Sequence, residues 1–463
     1  MSWLVPTEIS ERHAVNCSVA KQLKVRVGGS YNARYNTHRP PGNVKLVARP
    51  LTPLTRISEK LDSFALIEPA AYDLIHSFNA IPILTRTPFI VTFEDYCPRT
   101  PEDRPLEWLE RRLRKILLSK NCIGIVAMSE YALRKFKHQH RSHSELSGLL
   151  AKTTVVYPAM PASAMEAKRP GDKLRILFVG RDFMRKGGPV VLDAHRQLAA
   201  LGLPIETTVV SELRWSENDY IGPPDPERSQ AVMNSIRRRG IRHYPGLPHA
   251  EIVDLMRQAD YLLLPTFHDT FGYVTLEAMS NGTPAIATST CAQNEMIEHG
   301  RSGYLLEFEN DPVTGDWRWL YCQNKPGYVD AYWQATKTMA HMLADRLARA
   351  WEDRKNYQAM SAAAIQRVTE RFSIAQAQCR LAPLYQLARS RRRGVLGLAS
   401  ENSSTSTKYE RIGRLRNIRE QSAFSETHRE ALHLLEAQQT ISGSDEFDRL
   451  PDRRGHLSVD PFR

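Results

Sequence analysis

Cysteine is scarce in this chain and scattered. The six thiols of its 463 residues, Cys17, Cys97, Cys122, Cys291, Cys322 and Cys379, include no close pair. That excludes a disulfide-stapled scaffold and the ligand spacing of a zinc site, and isolated thiols suit a reducing compartment, so a cytoplasmic protein is expected. Long apolar runs are missing as well. No stretch approaches the roughly 20 residues needed to span a bilayer. The start, Met-Ser-Trp-Leu-Val-Pro-Thr-Glu, lacks the apolar segment and small-residue cleavage site of a secretory leader. There is no internal repeat, no Walker loop and no dinucleotide fingerprint. No Asp-x-Asp pair stands at a strand end to hold a metal, so neither metal nor cofactor is expected.

Negative charge is in deficit, with 63 Lys and Arg against 51 Asp and Glu, a net charge of +12. The surplus favours a polyanion, an anionic membrane surface or phosphorylated ligands. Nucleic acid is not expected, because no recognition motif accompanies the charge. Arg111, Arg112, Arg114 and Lys115 fall on one predicted helix, Arg134, Lys135 and Lys137 on another, and Arg389 and Arg391 to Arg393 follow a third. They read either as solvated faces or as a peripheral contact with an anionic bilayer.

What is present is an alternation of short apolar runs with helix-like segments. Residues 72–78, 89–93, 122–128 and 153–157 are β-branched or aromatic runs of strand length, and 105–120 carries apolar residues at helical spacing. Residues 24–27 and 44–48 are weaker strand candidates. A stretch with three prolines, 158–172, interrupts the alternation. A second set follows: strands at 174–179, 205–210, 241–244, 260–264, 285–287 and 303–306, and helices at 186–200, 249–258, 272–281 and 293–299. Residues 309–327, rich in Trp, Pro, Asp and Gly, look like an inserted loop; 328–371 reads as helical and 373–388 as a last helix. Strands alternating with helices imply parallel sheets covered on both faces. The expectation is therefore an α/β protein of two doubly wound, Rossmann-like domains, 1–160 and 173–372. They are joined by a linker at 161–172 and followed by a helix, 373–388, that returns to the first domain. Residues 389–463 are poor in large apolar side chains and are expected to be a disordered tail broken by one helix at 426–438.

In open α/β sheets, ligands bind beyond the carboxyl ends of the strands. One such loop is Gly180-Arg181-Asp182-Phe183-Met184-Arg185-Lys186-Gly187-Gly188. Glycines allow close backbone approach, and the helix that follows adds partial positive charge to Arg181, Arg185 and Lys186. A phosphate site and a Gly-rich turn with solvated cations both fit it. A second loop, 265–272, carries Asp269 and turns at Gly272 into a helix containing Glu277. A carboxylate there can bind two neighbouring hydroxyls, and a solvent-facing helical Glu is the plainer alternative.

Taken together the two loops are recognisable. Pro-Thr-x-x-Asp269-x-Phe-Gly-x-x-x-x-Glu277-Ala-Met-x-x-Gly-x-Pro resembles the E-x7-E signature of the retaining GT-B glycosyltransferases called family 4 or group 1. Phe178-Val179-Gly180-Arg181 with Lys186-Gly187, Asn281-Gly282-Thr283-Pro284 and His299-Gly300-Arg301-Ser302-Gly303-Tyr304-Leu305 resemble its other motifs. The resemblance implies a GT-B fold with its two domains facing a cleft. It also implies metal-independent transfer of a sugar from a nucleotide-sugar donor to a glycan, lipid-linked or small-molecule acceptor. Arg181 and Lys186 would then neutralise the donor diphosphate, and Asp269 would face the sugar. Gly180 and the amides around Phe271, Gly272, Tyr273 and Val274 would cradle the phosphates. Glu277 would hold the ribose, and the base would sit near 243–248.

On the acceptor side, Asp73-Leu74-Ile75-His76 and Val91-Thr92-Phe93-Glu94-Asp95 are similar to the family's strands, making His76, Glu94 and Asp95 candidates. His76 is equally readable as structural. The chain departs from the family pattern at Asp269, where Glu is usual, and at Glu94, where His is usual. A sugar-nucleotide-binding scaffold without transfer chemistry is the alternative reading, and a phosphorylase or epimerase on the same fold a more distant one.

Overall fold

A computed structural model describes residues 22–28, 40–48, 52–53, 64–66, 72–99, 107–161, 163, 166–215, 220–237 and 240–401. Its first half contains β1 (Leu23–Gly28), β2 (Val44–Ala48), β3 (Thr52–Pro53), β4 (Phe64–Leu66), β5 (Leu74–Phe78), β6 (Ile81–Pro82), β7 (Phe89–Phe93), α1 (Glu107–Leu118), β8 (Cys122–Ala127), α2 (Glu130–Gln139), α3 (Leu146–Ala151) and β9 (Thr153–Val155). The second half contains β10 (Leu174–Val179), α4 (Gly188–Ala200), β11 (Ile205–Val210), α5 (Pro226–Asn234), β12 (Ile241–Tyr244), α6 (His249–Gln258), β13 (Tyr261–Leu264), α7 (Tyr273–Ser280), β14 (Ala285–Thr288), α8 (Gln293–Met296) and β15 (Gly303–Leu306). Then come α9 (Tyr328–Glu352), α10 (Tyr357–Arg371) and α11 (Ile374–Glu401).

The strands form two six-stranded parallel sheets, ordered β2-β1-β5-β7-β8-β9 and β12-β11-β10-β13-β14-β15, with β3, β4 and β6 in a small side sheet. Strands β5, β7, β8, β13 and β14 are buried along their whole length. That explains why they read as mostly apolar runs rather than as strict alternation: both faces of a parallel sheet are covered by helices. In each sheet the strand order reverses once, between β1 and β5 and between β10 and β13. Such a reversal leaves a crevice at the carboxyl ends of the two strands.

Helix placement follows from apolar spacing and caps. In α1, Leu109, Leu113 and Leu117 recur every fourth residue and are buried. In α2 the N-cap Ser129 accepts a hydrogen bond from the amide of Ala132 at 2.9 Å. One core lies between β10, β13, α4 and α9. Another runs without interruption from Phe93, Tyr131 and Phe136 of the first half to Leu264, Leu276 and Met279 of the second. Helix α11 packs on the first sheet, where Leu381 and Tyr385 join Val25, Leu74 and Ile90, and Arg380 donates to the carbonyl of Val155 at 3.0 Å.

The stretch 328–371 is helical as expected, in two helices: the chain turns at Asp353, whose carboxylate accepts from Asn356, and the Tyr357 hydroxyl anchors the next helix on the carbonyl of Asp260 at 2.9 Å. Two expectations are corrected. The last helix runs past Ala388 to Glu401, so the expected tail begins as helix. The short helix expected to reach residue 299 ends at Met296. Residues 402–463, with the helix expected at 426–438, lie outside the described residues, as does Cys17. No helix among the described residues is long and apolar enough to cross a membrane.

Candidate functional site

The reversal between β10 and β13 brings the two loops singled out above side by side. Gly187 takes a left-handed backbone at φ 83°, and a Cβ there would lie 1.9 Å from the carbonyl oxygen of Pro265, so only glycine lets the loops meet. The amide of Phe267 donates to the carbonyl of Arg185 at 3.0 Å, and the Thr266 hydroxyl donates to the same carbonyl at 3.1 Å. Gly272, at φ 81°, turns the second loop into α7 and leaves that helix with no side-chain cap.

Within this corner Lys186 forms an ion pair with Asp269, both side chains being about one-seventh exposed (16% and 14%). Burial pulls the Lys186 ammonium below its ordinary range, with Asp269 opposing. Burial pushes the Asp269 carboxyl up, but Lys186 and Arg185 outweigh it and hold it below the usual carboxylate range. Arg185 pairs with Asp182, donates to the carbonyl of His268 at 3.3 Å and lies 5.6 Å from the centre of the Tyr220 ring. Arg181 is exposed at the rim, and its carbonyl accepts from the amide of Arg214 at 3.2 Å. Glu277 is 8% exposed, and its Oε1 is 2.9 Å from His249 Nε2 at the start of α6. The plainer alternative, a solvent-facing glutamate, does not describe it. His243 is bonded to the carbonyl of Ser211 at 2.8 Å.

On the facing side Glu94 leaves β7 and reaches this corner directly. It is 5% exposed, pairs with Arg99 at 2.7 Å, accepts from Asn79 Nδ2 at 2.9 Å, and accepts from the Thr270 hydroxyl, next to Asp269, at 3.2 Å. Asp95 is also buried, 3.5 Å from Lys135 Nζ. His76 is elsewhere. It is fully buried inside the sheet with both ring nitrogens engaged, Nδ1 with the Tyr385 hydroxyl of α11 at 2.9 Å and Nε2 with Thr92 at 2.8 Å. The structure makes it a core histidine that joins α11 to β5 and β7.

Sequence reasoning missed the cluster that joins the two halves. Lys135 and Tyr131 of α2 meet Asp316 of the inserted loop, both at 2.5 Å, and the Tyr131 hydroxyl lies 3.2 Å from His268 Nε2. Burial holds the His268 imidazole down to about 4, so it is neutral. His268, Cys291 and Asp316 would suit a metal by proximity, their donor atoms lying within 4.8 Å of one another. Asp316 is already paired with Lys135, burial pushes the Cys291 thiol up to about 12, and Tyr131 links His268 to Asp316 by hydrogen bonds. Glu295 makes a second cross-link, accepting the amides of Glu130 at 2.8 Å and Tyr131 at 2.6 Å. No sequence pattern signals partners so far apart.

The basic groups also resolve individually. Arg114 is buried and 3.7 Å from Glu110, and Lys135 is buried between Asp95 and Asp316, so neither belongs to a solvated cationic face. Arg389 donates to the carbonyl of Asn43 at 2.7 Å, and Arg391 to that of Lys120.

Residues 162–313, which hold both loops, match the family described as glycosyl transferases group 1. Over 157 residues the chain is 28% identical to a D-inositol 3-phosphate glycosyltransferase of Arthrobacter sp. (strain FB24), covering 33% of this chain and 36% of that one. The counterpart of Corynebacterium glutamicum (strain R) is 25% identical over 285 residues, 57% of this chain and 67% of its own. The chain thus spans about a third to two-fifths of the length of the first curated relatives it matches. In fold it is similar to Anabaena Alr3699/HepE, solved in complex with UDP and glucose, with a TM-score of 0.51 at 15% identity over 79% of this chain and all of that one.

Proposed function

We propose that this chain, whose residues 162–313 belong to the group 1 glycosyl transferases and whose two sheets form a GT-B fold, moves a sugar from a nucleotide-diphosphate-sugar to an acceptor hydroxyl with retention of configuration. The observation that carries the reading is the pairing of Lys186 with Asp269 at the strand-order reversal, within one corner that also holds the uncapped N-terminus of α7. In this reading Lys186, Arg181 and the amides of Phe271 to Val274, with Gly180 leaving room, receive the diphosphate. Fixed positive charge stabilises the charge that develops as it leaves, a task otherwise done by a metal.

Glu277, oriented by His249, takes the ribose hydroxyls. Asp269 faces the sugar. The bond from the anomeric carbon to the diphosphate oxygen breaks, the acceptor oxygen bonds to that carbon on the same face, and its proton passes to the leaving diphosphate. Glu94 and Asp95 border the acceptor side. Acceptors are glycan, lipid-linked or small hydroxyl compounds, and the exposed basic residues of α1, Arg111 and Lys115, suit a peripheral approach to an anionic membrane from the cytoplasm.

The test is a thermal-shift and turnover screen against UDP-, GDP- and ADP-sugars, with and without chelator, beside Glu277→Ala. Stabilisation by one nucleotide class is expected, indifferent to chelator and weakened about 10- to 100-fold in affinity by the substitution. No stabilisation of folded protein by any of the three would sink the donor site. Stabilisation without transfer or hydrolysis would point to a binding scaffold.

A further inference from the structure

Asp316 belongs to the loop between β15 and α9, yet its carboxylate is 5% exposed and is spent on the other half of the molecule. The insertion is built to hold it there. Asp311 closes the preceding turn by accepting the amides of Val313 and Thr314 at 2.9 and 2.8 Å. Trp317, 1% exposed, packs on Phe267 at 4.9 Å and Tyr328 at 5.7 Å between ring centres.

The protons around Asp316 have one self-consistent arrangement. Its Oδ2 accepts from Lys135 and its Oδ1 from the Tyr131 hydroxyl. The Tyr131 oxygen can then accept from His268 Nε2–H at 3.2 Å, leaving His268 Nδ1 as the acceptor facing the Tyr220 hydroxyl at 3.5 Å. A neutral imidazole offers one donor and one acceptor, as this chain of bonds requires. Phe267 and His268 are therefore both clamped from the insertion, one by the edge-to-face contact with Trp317 and one through Tyr131, and the next residue is Asp269. The Asp269 backbone is tied in too, contacting the buried thiol of Cys291.

We infer that Asp316 is a positioning residue: through Tyr131 and His268 it holds the 265–272 loop, and with it Asp269, in register with the facing domain. The inference rests on the donor-site reading for its catalytic meaning, though not for its geometry. Closure of the cleft and alignment of the Asp269 carboxylate are then one event, because the residues that lock the domains also seat the loop.

The test uses the full chain and four variants: Asp316→Asn, the milder Tyr131→Phe, which removes one hydroxyl, the double variant combining them, and Glu309→Gln, an exposed side chain of the same insertion, as a control. Amide hydrogen exchange across 265–272 is expected to speed about tenfold in Asp316→Asn and several-fold in Tyr131→Phe, with little change in Glu309→Gln. With whichever of UDP, GDP or ADP binds wild type, affinity stays within about twofold while kcat falls about 10- to 100-fold, and the double variant is no worse than Asp316→Asn alone. Unchanged exchange in both variants overturns the inference, and so does a loss of nucleotide affinity that tracks kcat. If wild type binds no nucleotide, the donor-site reading fails, and the exchange result still decides whether Asp316 holds the loop.

Discussion

Lys186 and Asp269, 83 residues apart in the chain, form an ion pair that ties the loop after β10 to the loop after β13. Asp269 opposes the burial that pulls the Lys186 ammonium down, and the nearby charge of Lys186 and Arg185 outweighs burial to hold the Asp269 carboxyl below its usual range. The pair fixes both loop tips at the place where the strand order reverses.

Asp269→Asn keeps the shape and removes the charge, so transfer is expected to fall at least about 100-fold, roughly 3 kcal/mol in the barrier. Asp269→Glu keeps the carboxylate with one more methylene and is expected to stay within about tenfold of wild type. Initial rates with the donor found by the screen check both. An Asn variant at full speed would remove Asp269 from the machinery.

Glu295 caps the first turn of α2 from the opposite half, where an anion is favoured by free amides and by the helix dipole. Glu295→Ala deprives two amides of a charged acceptor, about 2 kcal/mol in all. Calorimetry should show Tm lower by a few degrees, as a loss of that size implies for domains of this length. An unchanged Tm would mean that water replaces the carboxylate at no cost.

Asp95 gives a pH signature. Burial pushes its carboxyl up to about 6, against the pull of Lys135. The folded protein therefore binds this proton more tightly than the unfolded chain, whose aspartate titrates near 4. Its contribution to stability is full below about pH 4 and is lost as pH rises through about 6. Asp95→Asn lacks that loss, so its stability relative to wild type should improve between pH 4.5 and 7.5, by about 2 kcal/mol. Thermal melts at the two pH values decide it, and an equal difference at both would reject the assignment.

Both sheets were legible in the sequence because buried parallel strands are short, mostly apolar runs, as at Phe89–Phe93 and Tyr261–Leu264. The two loops were legible because Gly187 and Gly272 mark turns at strand ends, with charged residues in between. Helix continuity was less so. Nothing in the composition of 328–371 announces the turn at Asp353, which is made by Tyr357 reaching Asp260. Charge was read least well: Arg114 and Lys135 look like neighbours of surface cations and are buried.

The chain by itself determined its alternating strands and helices and the two loops that meet at the strand-order reversal, since local apolar spacing, glycine and helix starts are properties of adjacent residues. Tertiary structure alone decided which far-apart groups meet. It put His76 in the core against Tyr385, Glu94 beside Thr270, and Asp316 against Lys135 and Tyr131. The physical reason is burial: a polar group removed from water must find a partner, and sheet order and domain contact, rather than sequence spacing, bring that partner within reach.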